Sequence, residues 1–255
     1  MSEISVHDYK KKDLTNSMVV ISFPTIGLVS TIAANYMINH LKLELVGSIT
    51  SDEFYPAAII QDGVPMPPVR IYAGDHVCGP KGACSQLVVI ASELPIKPNL
   101  FAPLADKIID WCRDRKCHIV VAIEGVNSPE LPKDPVKIFH VGSTPDAAKH
   151  LKDLGTEPLL TGMVSGLSGL LLYKGNFADF DVVCLLAEAH SEYPDSRSAA
   201  QVLTALNKMI PQIEIDPKPL LEQAAAIETQ VRKSMSQIKP LAQPELPDAP
   251  PGMYQ

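Results

Sequence analysis

Residues 18–41, MVVISFPTIGLVSTIAANYMINHL, indicate the fold class of this chain most clearly. Met18–Phe23 is short, apolar and rich in β-branched residues, which is typical of a buried strand, and Pro24 ends it. Apolar side chains then recur at helical spacing from Ile26 to Leu41, which predicts a helix. A strand, a short turn and a helix in succession are the usual opening of an α/β domain.

The same alternation of apolar strands and helices continues as far as residue 209. The predicted strands are Leu45–Thr50, Leu87–Ala91, Ile119–Ile123, Val136–Val141 and Val182–Ala187. The predicted helices are Pro98–Lys116, Pro145–Leu154, a helix beginning with Gly166–Leu172, and Ser196–Met209, for which Asp195 or Ser196 is a good N-cap. Continuous apolar strands are covered on both faces, so we predict a three-layer α/β/α domain around a mainly parallel mixed sheet.

One segment departs from this alternation. Ala57–Gln61 and Val69–Ala73 read as strands, and the turn-rich stretch 62–68, DGVPMPP, lies between them. No helix can fit in so short a connection. We therefore predict that these two strands pair with each other as an antiparallel ribbon.

The composition changes after Ile210–Pro211, and we predict three parts: a domain over 1–212, a helix over 213–238 and a tail over 239–255. The helix has a short heptad-like stripe that includes Leu220, Ala224, Ile227 and Val231. Such a stripe suits a surface helix lying on its own domain, and it equally suits a helix that pairs with a neighbouring subunit.

Residues 239–252, KPLAQPELPDAPPG, contain five prolines and few apolar side chains. Proline excludes helix and sheet here, and too little apolar surface is available to drive folding. We predict a disordered, extended leash of roughly 40 Å, at about 3.1 Å per residue.

Charge and cysteine content narrow the classes of partner and compartment. The formal net charge is −7, which argues against nucleic acid and against an anionic membrane as partners. The N-terminal residues 1–14, MSEISVHDYKKKDL, lack the apolar core of a secretory leader, and no apolar run is long enough to span a bilayer. The five cysteines are odd in number and partly in apolar segments, which suits a reducing cytoplasm.

Signals for catalysis and metal binding are weak, so we predict no enzyme, no cofactor and no metal site. Neither a P-loop nor a Gly-x-Ser-x-Gly elbow occurs, and the spacings of the cysteines, including Cys112 and Cys117, do not match common zinc sites. Residues 162–169, GMVSGLSG, could cradle an anion at a helix N-terminus. The favoured interpretation is that these glycines permit close packing or a positive φ.

Three acidic residues, Glu93, Glu124 and Glu188, follow predicted strands. Ligands of open α/β sheets bind beyond the carboxyl ends of the strands, so these acids could form a polar site for a base or a cation. They could equally be helix caps and ion-pair partners in the loops.

The last three residues, Met253, Tyr254 and Gln255, have the chemistry of a peptide anchor. The methionine can fill an apolar slot, the tyrosine ring can pack with its hydroxyl available, and a terminal carboxylate can pair with a lysine. The extended leash directly before them favours binding to another protein.

Several blocks of the sequence resemble the proteasome assembly chaperone 2 family. They are Val19–Gly27 (VVISFPTIG), Ser51–Pro56 (SDEFYP), Gly162–Leu172 (GMVSGLSGLLL) and Glu188–Ala200, and their order and spacing make the match more specific than any one block. The resemblance covers roughly residues 15–210. It implies a nucleoside-phosphorylase-like α/β/α domain without a known catalytic role.

The resemblance also implies that proteasome α subunits are partners. Met253-Tyr254-Gln255 is similar to the hydrophobic-Tyr-any tail with which archaeal relatives and proteasome activators enter pockets between α subunits. Relatives with that tail form homo-oligomeric rings, so the resemblance implies a self-associating chain and points to a pentamer. The expected function is therefore a non-enzymatic assembly chaperone or adaptor; a proteasome activator and a small-ligand-binding protein or enzyme are the alternatives.

Overall fold

A large mixed sheet forms the centre of the computed structural model, which describes residues 3–75, 86–128, 135–210 and 215–222. The strands are β1 Ser5–Asp8, β2 Met18–Ser22, β3 Glu44–Thr50, β4 Ile59–Gln61, β5 Val64–Met66, β6 Val69–Gly74, β7 Leu87–Ala91, β8 Ile119–Asn127, β9 Ile138–Gly142, β10 Glu157–Pro158 and β11 Val182–Ala189. The helices are α1 Val29–His40, α2 Phe101–Asp114, α3 Pro145–Lys149, α4 Gly166–Phe177 and α5 Ser196–Met209.

Nine of these strands pair in the order β1-β3-β6-β7-β2-β8-β11-β9-β10. The four central strands β7, β2, β8 and β11 are parallel to one another, and β9 and β10 are also parallel. The remaining pairings are antiparallel. The predicted mixed sheet is confirmed, with parallel pairing concentrated where both faces are covered.

Helices cover both faces of the sheet, so the predicted three-layer α/β/α architecture is also confirmed. Helices α1, α3 and α5 pack on one face, and α2 and α4 pack on the other. Strand β2 is buried along its whole length because its side chains alternate between the two layers. Met18 and Val20 join the α1–α5 core, whereas Val19 and Ile21 join the α2–α4 core.

The predicted ribbon between Ala57–Gln61 and Val69–Ala73 is wrong in its pairing. Strand β4 pairs instead with β5, and β6 lies in the main sheet between β3 and β7. Asp62 and Gly63 both have positive φ, which makes the two-residue turn of a tight hairpin and folds the chain back at once. Strand β6 is almost entirely buried, so its apolar side chains are satisfied only inside the large sheet.

Several predicted element ends also differ from the structure, most of all those of α3 and β8. Helix α3 ends at Lys149, before the predicted Leu154, because Leu151 and Leu154 turn into the core and Asp153 adopts a positive φ. Strand β8 continues to Asn127, four residues past the predicted end, because it pairs with β11 along that length.

The chain continues to pack on the domain beyond the predicted boundary at residue 212. The side chain of Asn207 bonds both backbone groups of Ile215, and the Tyr36 hydroxyl donates to the carbonyl of Asp216. Residues 218–222 are helical. Nowhere in the described ranges is there a helix with the length and hydropathy needed to cross a bilayer.

Candidate functional site

The predicted docking and oligomerization residues fall mostly beyond the part of the chain that the structure describes. Met253, Tyr254 and Gln255 lie outside the described residues, and so do three residues of the helical stripe, namely Ala224, Ile227 and Val231. Leu220 is described, and it is buried in the core formed with α1 and α5. At this first position of the stripe the side chain packs on its own domain.

Glu93 forms an ion pair with Arg70. Its two carboxylate oxygens accept hydrogen bonds of 2.5 and 2.6 Å from one guanidinium nitrogen of Arg70. The Arg70 side chain is only 3% exposed, and its Nε donates to the Tyr72 hydroxyl at 2.8 Å. A buried guanidinium needs a counter-charge, so Glu93 is engaged in stabilising the fold.

Glu188 lies within β11, so the expectation that it follows the strand is wrong, because β11 extends to Ala189. The backbone of Glu188 bonds to two neighbouring segments. Its N–H donates to the carbonyl of Lys137, and its carbonyl accepts a hydrogen bond from the Ser198 hydroxyl in the first turn of α5. Asp195 caps α5 as predicted, accepting from the Ser198 N–H at 2.9 Å. The backbone around Glu188 therefore helps to anchor α5.

Glu124, the third of these acids, lines a cavity. It lies inside β8, and the expectation that it follows the strand is wrong because β8 extends to Asn127. The Ser168 hydroxyl, in the first turn of α4, donates to its Oε1 at 2.5 Å. The structure thus joins one predicted acid to the glycine-rich segment, while Glu93 and Glu188 make separate interactions.

Around Glu124 is a cleft of about 340 Å³ at the carboxyl ends of β2 and β8. Four other segments complete its walls: the β2–α1 turn, the segment after β7, α2 and the start of α4. They contribute Phe23, Thr25, Ile96, Phe101 and Leu167, among others. This position is where open α/β sheets place their ligand sites. The volume is in the range of small-molecule pockets.

The glycines of residues 162–169 permit a positive φ and close packing, which was the favoured interpretation. Gly166 has a φ of +70°, which opens the first turn of α4. A Cβ on Gly169 would lie 2.1 Å from the Val164 carbonyl oxygen, so only glycine lets the preceding loop pack against the helix. The segment thereby sets Ser168 opposite Glu124.

Two further glycines lie where the β2–α1 turn approaches β8 and α5, and one of them, Gly125, also lines the cleft. A Cβ on Gly125 would lie 2.0 Å from the Ile26 carbonyl oxygen, and the Gly125 N–H donates to the Thr25 hydroxyl at 3.2 Å. Gly27 has a φ of +62°, and its carbonyl accepts from the Asp195 N–H. Three of the sequence blocks that carry the family resemblance therefore meet at this one place.

Gly125 is a position of close backbone contact that was not singled out from the sequence. It follows Glu124 inside a buried strand, and a glycine in a strand interior often marks a close approach of another backbone. That signal was available in the sequence. Its partner, the β2–α1 turn, could not be identified without the fold.

Burial controls the electrostatics of Glu124. Removal of water from its carboxylate raises the pKa of Glu124 to about 7, and the hydrogen bond from Ser168 opposes this only in part. Cys184, on the adjacent strand β11, is fully buried, and this burial raises the pKa of its thiol. Within the part of the chain that the structure describes, the residues that line the cleft include no lysine, arginine or histidine.

A second feature is a set of exposed apolar side chains beside α4. Leu160, Met163 and Phe177 are 88%, 87% and 82% exposed, and Tyr173 contacts the Phe177 ring with 5.7 Å between centroids. Leu160 and Tyr173 also line one shallow cavity. Exposed apolar groups in such a concentration mark surfaces that bind proteins. We call these four residues the α4 patch.

Sequence reasoning did not find the α4 patch. Helix α4, GLSGLLLYKGNF, is apolar around most of its circumference, and a helix of that kind has more than one face to cover. Among the residues that the structure describes, no group of three or more His, Cys, Asp or Glu side chains is arranged to hold a metal ion.

The sequence profile of the PAC2 family matches residues 19–235. This chain belongs to the PAC2 family. An uncharacterized protein of Methanocaldococcus jannaschii is 29% identical over 227 residues, which cover 89% of each chain.

Solved PAC2-type structures agree with the architecture described above. PbaA of Pyrococcus furiosus, an archaeal homolog of proteasome-assembly chaperone, is 28% identical, with a TM-score of 0.79 and coverage of 92% of both chains. PbaB of Pyrococcus furiosus, an archaeal proteasome activator, matches with a TM-score of 0.77 over 92% of this chain and all of PbaB. At 22% identity the second match shows the fold alone.

Proposed function

We propose that this PAC2 protein is a non-enzymatic assembly chaperone or adaptor that binds proteasome α subunits through Met253, Tyr254 and Gln255. The observation that supports it most is the likeness to PbaA over almost the whole described domain. The chemistry of the last three residues supplies the contact. An apolar side chain, a tyrosine and a terminal carboxylate together suit a pocket that presents an apolar slot and a lysine.

The proline-rich residues 239–252 are the proposed leash between domain and anchor. Their extended length of roughly 40 Å lets the anchor reach a pocket while the domain stays clear of the α-ring. One three-residue anchor binds weakly. Several anchors on one oligomer gain affinity, because each later contact is intramolecular.

Deletion of Met253–Gln255 is expected to abolish co-elution with a 20S core particle, measured by size-exclusion chromatography at micromolar concentration. A second variant, which adds a single glycine after Gln255, keeps all three side chains but moves the carboxylate. It is expected to lose binding by at least about tenfold, since a charged hydrogen bond contributes roughly 1.5–3 kcal/mol.

The substitution Glu245→Gln in the leash is the control and should bind normally. Circular dichroism should show the same folded domain in all variants, because residues 215–222 still pack on it. Retention of binding after the three-residue deletion would contradict docking through the tail.

We further propose that the chain forms a homo-oligomeric ring, for which the family resemblance implies five subunits, with the α4 patch in the contact between copies. Side chains of this size are rarely left more than 80% exposed together on a monomer. The patch lies beside β10, the short edge strand of the sheet. A second copy would remove both the apolar surface and the edge from water.

The double substitution Leu160→Ser/Phe177→Ser is therefore expected to shift sedimentation from oligomer to monomer. Ile60→Ser is the matched control, because Ile60 is 65% exposed on the β4–β5 hairpin and should leave the oligomer intact. A wild-type chain that sediments as a monomer would contradict the ring. An unchanged oligomer in the double variant would exclude the α4 patch as its interface.

A proteasome activator is the second candidate role, favoured by the shared fold with PbaB. The two roles differ in their readout. An activator should increase hydrolysis of a fluorogenic peptide by a finished core particle, whereas an assembly chaperone should speed the formation of α-rings from free subunits. The two assays, run with the same protein, distinguish these outcomes.

A further inference from the structure

Among the described residues, the carboxyl group of Glu124 in the cleft has no cationic side chain as a partner. Arg70 occupies the carboxylate of Glu93, but the only described hydrogen bond to the Glu124 carboxylate comes from the neutral Ser168 hydroxyl. No cationic side chain is present among those lining residues that belong to the described ranges. A carboxylate that is largely removed from water and lacks a cation is costly unless a ligand supplies one.

Capping of α4 does not explain Glu124. A carboxylate that caps a helix accepts from backbone N–H groups of its first turn. Here the bond from α4 comes from a side chain, and Ser165, the N-cap residue, makes no side-chain cap either. The carboxylate is therefore placed at the cavity wall without serving as the helix cap.

The rest of the wall suits an organic cation with an apolar body. Phe23 and Phe101 supply aromatic rings, and Ile26 and Ile96 supply aliphatic surface. Aromatic rings and a carboxylate are the groups that bind ammonium ions in proteins. The volume of about 340 Å³ accommodates a small molecule of this kind.

We propose that the cleft between the first turn of α4 and the carboxyl ends of β2 and β8 binds a small organic ammonium ion with an apolar body. The Glu124 carboxylate pairs with the ammonium group, and Ser168 holds the carboxylate in position. The aromatic and aliphatic side chains cover the body of the ligand. The residues proposed to bind the ammonium ion are not those proposed to dock on the proteasome, so the two proposals rest on separate parts of the sequence.

Benzylamine is a suitable probe, with benzyl alcohol and benzoate as neutral and anionic analogues of similar shape. We expect benzylamine to bind with a Kd on the order of 1 mM, in line with a ligand of so few atoms. Titration followed by ¹H–¹⁵N NMR should shift the amide signals of Gly125, Gly166 and Ser168. Benzyl alcohol and benzoate should bind at least about tenfold more weakly.

The variant Glu124→Gln preserves the size of the side chain and removes its charge. It is expected to weaken benzylamine binding by about tenfold or more and to leave benzyl alcohol unaffected. Glu192→Gln, at an exposed position, is the matched control and should bind as the wild type does. The amide spectrum of each variant confirms that it is folded.

Dependence on pH provides a second readout. Glu124 has a pKa of about 7, so roughly one carboxyl in ten is ionised at pH 6 and nine in ten at pH 8. The affinity for benzylamine should therefore rise by nearly tenfold over this interval, and the dependence should vanish in Glu124→Gln. Cys184 does not compete, because burial keeps its thiol neutral.

Equal binding of benzylamine and benzyl alcohol, no binding at 10 mM, or unchanged affinity in a folded Glu124→Gln variant would each overturn the proposal. Loss of core-particle binding on tail deletion bears only on the proteasome role. The two proposals can therefore fail separately.

Discussion

The substitution Gly125→Ala is expected to lower the free energy of unfolding by about 3 kcal/mol or more. The added Cβ would lie 2.0 Å from the Ile26 carbonyl oxygen and 2.9 Å from its carbon. Both are backbone atoms, so no rotamer change can relieve the overlap. Either β8 or the β2–α1 turn has to move.

A shift of either segment would change the positions of the residues around the cleft. The hydrogen bond from the Gly125 N–H to Thr25 fixes the turn, and the Gly27 carbonyl in the same turn accepts from Asp195. Glu124 is the neighbouring residue of the strand. We therefore expect NMR signals of the turn, of Ser168 and of the α5 N-terminus to shift together.

Urea denaturation monitored by circular dichroism measures the effect. Gly162→Ala is the matched control, because its Cβ would meet only the flexible end of the Leu159 side chain, at 3.2 Å. It should change the stability by less than about 1 kcal/mol. Wild-type stability in Gly125→Ala would show that the close approach of β8 and the turn is not required.

The second large effect is expected at the buried ion pair. Glu93→Leu removes the counter-charge of Arg70, whose side chain is 3% exposed, and should cost about 3 kcal/mol of unfolding free energy. We place the cost at the low end of the range for buried pairs because the Glu93 side chain is 33% exposed, so water can partly replace it.

A double-mutant cycle distinguishes the pair from simple loss of packing. Arg70→Met/Glu93→Leu removes both charges and should recover most of the loss, since an apolar pair of similar volume avoids the burial of an unpaired charge. The wild type, Arg70→Met, Glu93→Leu and the double variant are all measured by urea denaturation, which completes the cycle. A double variant no more stable than Glu93→Leu would mean that the Arg70 guanidinium contributes through its contact with Tyr72 or through packing.

The three strand-associated acids show how far the sequence could be used for the site. The sequence pattern placed Glu93, Glu124 and Glu188 near the ends of central strands. It left two roles open, a polar ligand site or helix caps and ion pairs in the loops. The structure assigns Glu93 to an ion pair and Glu124 to a cleft. The distinction depends on Arg70 and Ser168, which are 23 and 44 residues away from their partners along the chain.

The sequence by itself determined the α/β class, the central parallel strands and the family. These follow from local patterns, namely apolar runs at strand length, apolar side chains at helical spacing, and turn residues between them. The opening segment that begins at Met18 shows this directly, because every residue of β2 is buried. The chemistry of Met253–Gln255 is also a property of the sequence, and it remains a prediction.

Only the tertiary structure decided the partner of β4, the close contact at Gly125 and the composition of the cleft. Each depends on contacts between segments that no local pattern relates. The tight turn at Asp62 and Gly63 pairs β4 with β5, and β6 instead joins the main sheet. Because Gly125 has no side chain, the Ile26 carbonyl can approach β8. Local sequence preferences determine which segments form helices and strands. Burial of apolar side chains and the avoidance of atomic overlap determine which of these elements pack against one another.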